Sequence, residues 1–339
     1  MIKKFISNTF MFIAIVSFIN IFKQFFGDKN ILVGVSIVVS ALVLMGLDLT
    51  KKPVENFFKL LIINLSLGII AKFASNNLWL GVILNFLVLS TIGYTLSYNL
   101  TKSVILPFGL QYLFMLYTPV YGYDFSLRIA ALIFAPIAIM IYQYIAHGGK
   151  RNIEVQDSDI LEYKNESKEE DLYYKVYNIF GKDVEVHTIR ASYAIRVGIL
   201  TAITGFIESL LFKYYNIQEG RWMVYTIFSL TELYSEHCRI RSKQRLEGTI
   251  IGALIVIILF MFIKNSSLRA LIVLLAGFIN PFLTNYRDII ICVTVSVVAS
   301  LGLTNGSILA AALRIIFVII GIAFALLGNK YIFNKSIKE

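Results

Sequence analysis

Apolar residues run along this chain in blocks of about one membrane thickness, and polar residues collect between them. Crossing ~30 Å of hydrocarbon takes about 20 helical residues at 1.5 Å each. Blocks of this order fall near 5–22, 31–47, 57–74, 78–96, 103–118 and 127–145. After a polar interval they resume near 190–211, 222–238, 248–263, 267–284, 288–303 and 309–328. The pattern predicts an all-α polytopic membrane protein with about twelve transmembrane helices, six plus six. Pro107 predicts a broken or tilted helix in the fifth block.

Composition agrees. Hydrophobic residues make up 58% of the 339 residues and charged residues 15%, with mean hydropathy +0.75. Soluble proteins carry about 25% charged residues, so in water this chain would expose far too much apolar surface. The first apolar block is long and lacks a small-x-small cleavage site, so it reads as a retained first span. Frequent Ile, Lys, Asn, Phe and Tyr point to an AT-rich bacterial genome.

The net charge of +10 is divided unevenly. Residues 147–188 hold ten acids and six bases, and the remaining chain is strongly basic. Placed N-terminus inside, the cytoplasmic ends of the spans carry fourteen bases and the external ends seven. That bias predicts that both termini are cytoplasmic, and the expected location is the bacterial plasma (inner) membrane. It also accounts for the basic excess without nucleic-acid binding.

An even number of spans per half gives both halves the same orientation, as parallel repeats. Two features recur. The second span of each half is followed by a basic segment, TKKPVENFFK at 50–59 and HCRIRSKQRLEG at 237–248. The sixth span of each half begins Leu-Arg-Ile, at 127–129 and 313–315. The expected organisation is a first six-helix bundle over 1–146, an acidic cytoplasmic linker over 147–188 with a short helix around 166–178, and a second six-helix bundle over 189–339.

The polar residues inside the apolar blocks are the candidates for chemistry. Arg128 and Arg314 stand at the outer ends of the sixth and twelfth spans, where a charge costs ~2.5–3.5 kcal/mol unless it meets water, a partner or a substrate. One reading pairs them across a central cavity as planar two-point donors to a carboxylate substrate. The other has each snorkel to the interface or meet a local acid such as Asp124. Glu232 is expected near mid-membrane on the eighth span, sharing a helical arc with Thr226, Ser229 and Glu236. It reads either as a proton-coupling group or as half of a buried ion pair, for instance with Arg196. Arg196 itself either lines the substrate path or snorkels.

Small residues at four-residue spacing (Ala194, Gly198 and Ala202; Gly248 and Gly252; Gly321 and Ala325) predict close helix packing. Tyr and Trp near the span ends, Trp222 among them, read as interface anchors. Cys238 and Cys292 form no CxxC pair, and the three histidines lack ligand spacing, so no metal site is expected. No GxxxxGK[ST] loop occurs, no cofactor is called for, and no nucleophile or carboxylate pair converges. An enzyme is therefore not the expected function.

The stretch from Trp222 to Gly252, in which WMVYTIFSLTE is followed by RIRSKQRLEGTIIG, resembles the fusaric acid resistance and aromatic acid exporter superfamily. The matching motif is R-x-x-G-T-x-x-G at Arg245, Gly248, Thr249 and Gly252, and Arg314 to Asn329 resembles that family's last span. The resemblance is best over 190–332; the first half matches only in span layout and in Arg128. It implies paired six-helix bundles, lipid-embedded, exporting small organic carboxylates that include aromatic ones. A passive anion channel of the same architecture and a non-transporting scaffold acting through its linker remain as alternatives, and a homo-oligomer stays open.

Overall fold

The computed structural model describes residues 2–97, 104–147, 174–179, 182–233, 235–302 and 307–329. Twelve α-helices lie among them, one for each apolar block: α1 Ile2–Phe26, α2 Ile31–Leu44, α3 Pro53–Asn76, α4 Leu78–Thr95, α5 Ile105–Tyr117, α6 Tyr123–His147, α7 Thr188–Tyr215, α8 Arg221–Leu230, α9 Ser235–Phe262, α10 Ser266–Ile279, α11 Tyr286–Gly302 and α12 Ser307–Leu327. Six of the described helices are long and apolar enough to cross a membrane, namely α1, α3, α4, α6, α7 and α9. Large apolar side chains such as Phe10, Phe262 and Ile145 project outward. In water such a surface would drive aggregation; in a bilayer it is the lipid contact.

Local chemistry sets the ends of the helices. Pro53 opens α3, where its missing N–H costs nothing. The Asn77 side chain accepts from the backbone N–H groups of Trp79 and Leu80 to cap α4, and Asn265 caps α10 in the same way.

Two local expectations are corrected. The eighth block is not one span: α8 stops at Leu230 after ten residues, and Thr231–Leu233 form a non-helical break. The basic segment after it is helical and forms the first turns of the 28-residue α9. In the linker, Tyr174–Ile179 and Lys182–His187 pair as antiparallel strands β1 and β2, so the helix expected around 166–178 is strand from Tyr174 onward. Val176, Val184 and Val186 lend the pair β-branched residues. The rest of that expected helix lies outside the described residues.

The chain forms two compact units. One comprises Met1–Phe25 with Leu200–Glu339, the other Phe26–Ile199. In the second unit α6 packs on α2 and α3, and α5 packs on the same two helices. In the first unit α12 packs on α8 and α9, and α11 packs on α9 and α10. The sixth helix of each half thus rests on the second and third helices of that half. The N-terminal helix belongs with the later helices through its rings, Phe5 and Phe12 meeting Phe278 at centroid distances of 6.0 and 5.4 Å.

Candidate functional site

The R-x-x-G-T-x-x-G stretch is a helix seam. Arg241, Arg245, Gly248 and Gly252 follow one stripe along α9. A Cβ on Gly248 would lie 2.7 Å from the Arg287 carbonyl oxygen, and one on Gly252 would lie 2.8 Å from the Ile291 carbonyl. Glycine lets α9 and α11 approach to backbone contact there. Thr249 is buried beside them. Gly321 plays the same part between α12 and α8, where a Cβ would meet the Met223 carbonyl at 2.8 Å.

That close seam brings polar groups together at its lower end. Arg245 is 8% exposed, and its Nη1 donates to Ser229 Oγ at 2.9 Å and to the Tyr286 hydroxyl at 3.0 Å. The two hydroxyl oxygens are 3.1 Å apart. Glu232, in the break after α8, accepts from Arg241 Nη1 at 2.7 Å, and the Arg241 guanidinium lies 5.1 Å from the Tyr286 ring centroid. Glu232 therefore sits in a non-helical break with a base from α9 as partner, not within a continuous eighth helix. Glu236, placed by sequence on the same arc, has its side chain outside the described residues.

Arg314 stands eight residues into α12, about two turns deeper than the end of the helix, and is 2% exposed. Its guanidinium lies 4.1 Å from the Trp222 ring centroid, an electrostatic contact with the ring face. Its Nε and Nη1 are buried and have no acceptor among the described residues. The charge acting on it is that of Arg245, which is of the same sign. Arg245 Nε, Trp222 Nε1 and the Thr226 hydroxyl are also buried without a partner among the described residues. This part of the protein is therefore rich in donors and poor in acceptors. Buried donors left in that state cost about 1–3 kcal/mol each, and more when charged, so the arrangement favours an anion with several acceptor atoms.

Arg128, the matching arginine of the first half, is equally buried but fully employed. Its Nε donates to Asn30 Oδ1 at 2.8 Å, its Nη1 to the carbonyls of Thr118 at 2.9 Å and Met115 at 3.4 Å, and its Nη2 to the Lys29 carbonyl at 3.2 Å. These carbonyls close the end of α5 and the turn before α2, so the fork ties two helix ends together. Asp124, the acid considered as its neighbour, pairs with Lys29 at 2.7 Å. Arg196 is buried on α7, its Nε turned back to the Ser192 carbonyl at 3.3 Å. The substrate-facing expectation for Arg128 thus meets four protein acceptors, whereas Arg314 retains two open donors.

Sequence reading singled out Arg245, Thr226, Ser229, Glu232 and Arg314 but missed Tyr286, and it took Trp222 for an interface anchor and Arg241 for a flanking charge. The signal for Arg241 lay in its four-residue spacing from Arg245, which only a helix through 235–262 makes meaningful. Residues 205–328, from the middle of α7 to the end of α12, match the profile of the family described as fusaric acid resistance protein-like. Neither the curated proteins nor the solved structures offer a match to the chain. The helices that carry Arg245, Trp222 and Arg314 all lie within the matched stretch, and it is this stretch that is similar to the fusaric acid resistance protein-like family.

Proposed function

We propose that this membrane protein exports small organic carboxylates, aromatic ones included, across the bacterial plasma membrane, with both termini cytoplasmic. The matched family is a transporter family, and the apolar helices require a bilayer. The observation that carries the substrate class is Arg314, buried with two guanidinium nitrogens that meet no acceptor among the described residues. A carboxylate brings two oxygens of the geometry that a planar fork accepts. Trp222 holds the guanidinium plane and offers an aromatic face beside it, which suits an aromatic acid. Arg245 adds positive potential and Ser229 and Tyr286 add hydroxyl groups. Glu232, paired with Arg241 across the break, is assigned the proton-coupling role. Arg128 is assigned a structural role in place of the substrate role its sequence position had implied.

The test is efflux of radiolabelled benzoate from proteoliposomes containing the full chain. Arg314→Gln is expected to abolish efflux; unchanged flux sinks the assignment. Efflux that runs on the benzoate gradient alone, indifferent to an imposed proton gradient, identifies the passive channel of the same architecture.

A further inference from the structure

We infer that the groove between the first turns of α9 and the start of α11 is a binding site for the phosphate of an anionic lipid headgroup. The groove has a volume of about 600 Å³ and is open. Arg239, Lys243, Gln244 and the acid Glu247 line it from α9, and Asn285 and Arg287 line it from the other side, so three bases face one carboxylate. Its chemistry differs from that of the Arg314 site. The groups here are exposed and hydrated, and they include a lysine, whose compact charge suits a phosphate oxygen.

Four observations point to this ligand. First, the bases exceed the acids. Lys243 is 3.9 Å from Glu247 and Arg287 is 3.2 Å from its neighbour Asp288, while no carboxylate among the described residues pairs with Arg239. Second, the groove includes the start of the 17-residue α11, where the helix dipole adds positive potential that Asp288 in the same turn partly offsets. Third, the groove sits where α9 turns from charged residues to the apolar run of 248–262, the depth of a headgroup. Fourth, Ile240 lines the groove at 62% exposure on the aqueous side of Lys243, an apolar contact for the carbon atoms of a headgroup beyond the phosphate.

Occupancy has a consequence for the seam. Arg287 gives its carbonyl to the contact with Gly248 and its side chain to the groove. A phosphate held between Lys243 and Arg287 therefore clamps α9 to α11, next to the Tyr286–Arg245 hydrogen bond. The lipid acts as a brace for the helices that present Arg245.

The experiment uses the full chain in phosphatidylcholine nanodiscs, with and without phosphatidylglycerol. Native mass spectrometry counts retained lipid and thermal unfolding reports stability. Neither readout depends on transport, so failure here leaves the exporter reading untouched, and the reverse holds too. Phosphatidylglycerol is expected to be retained in preference to phosphatidylcholine and to raise the unfolding temperature. The variant carrying Arg239→Gln with Lys243→Gln is expected to lose that temperature rise and to bind phosphatidylglycerol about 30-fold more weakly. As a control, Lys51→Gln with Lys52→Gln, in another basic segment, is expected to keep the effect. If inorganic phosphate added to phosphatidylcholine discs gives the same rise and displaces phosphatidylglycerol, the phosphate chemistry stands and the source is soluble. The inference is overturned if the Arg239 and Lys243 variant retains phosphatidylglycerol as the parent does, or if neither lipid nor phosphate shifts the unfolding temperature.

Discussion

Arg314 is held 4.1 Å from the Trp222 ring centroid, with two buried donor nitrogens facing no acceptor among the described residues. A cation in that position contributes to binding only when an anion arrives. Until then it weakens the fold, because its lost hydration is only partly replaced by the ring. Stability and function should therefore move in opposite directions at this residue. Arg314→Met is expected to raise the unfolding temperature of the anion-free protein, by about 1–3 kcal/mol of stability, while abolishing benzoate efflux. Thermal unfolding in detergent alongside the efflux assay checks both halves.

Arg128 predicts the opposite sign. Its guanidinium satisfies the carbonyls of Met115, Thr118 and Lys29 and the amide oxygen of Asn30. Arg128→Met leaves these acceptors without a donor and should cost about 2–4 kcal/mol. Denaturation of the two methionine variants side by side separates a structural arginine from a ligand-seeking one; a stabilised Arg128→Met protein would contradict this division.

Trp222 should matter in proportion to its ring. Trp222→Phe keeps an aromatic face and is expected to raise the benzoate KM a few-fold, whereas Trp222→Ala leaves Arg314 unsupported. The expected loss for alanine is about 10-fold to 100-fold in efflux rate over KM, from ~1.4–2.8 kcal/mol of lost contact and orientation. Equal rates for the two variants would count against the stacked arrangement.

The α9–α11 seam has little slack. A methyl group at Gly248 or Gly252 meets a carbonyl oxygen of α11 below 3.0 Å, which backbone must move to relieve. Gly248→Ala and Gly252→Ala should each cost about 1–3 kcal/mol. They should also lower transport, because the shift separates Arg245 from Tyr286. Cysteine crosslinking along the seam measures the separation directly.

Glu232→Gln removes the charge that Arg241 meets across the break. Transport by this variant is expected to lose its response to an imposed pH gradient. Retention of the full response would assign coupling to another group. A double-mutant cycle with Arg241→Gln should give a coupling of about 1 kcal/mol, since Arg241 is 42% exposed and water screens the pair.

The helices were largely legible in the sequence because burial in lipid imposes a simple rule. Each backbone polar group must find its partner within its own segment, so every long apolar run becomes a helix. The runs at 57–74 and 190–211 accordingly lie inside α3 and α7. The exceptions came where two rules competed. Thr231 to Leu233 belong to an apolar block, yet the helix stops there, with Thr231 extended and both its backbone N–H and its hydroxyl directed to the Ile227 carbonyl. The following HCRIRSKQRLEG is dense in charge, yet charge does not prevent a helix, and Arg, Lys, Gln, Leu and Glu are all good helix formers.

The sequence by itself determined that this is a helical membrane protein, where its apolar blocks begin and end, and that Arg128, Arg314, Arg245 and Glu232 are the charges needing an explanation. Tertiary structure decided what those charges do. The same Leu-Arg-Ile triplet yields a fork saturated by four protein acceptors in one half and a cation left open against a tryptophan in the other. The triplet fixes only the residue and its depth. The acceptors that meet the guanidinium come from turns and helix ends remote in the chain, and no local pattern records which of them folding brings within 3 Å.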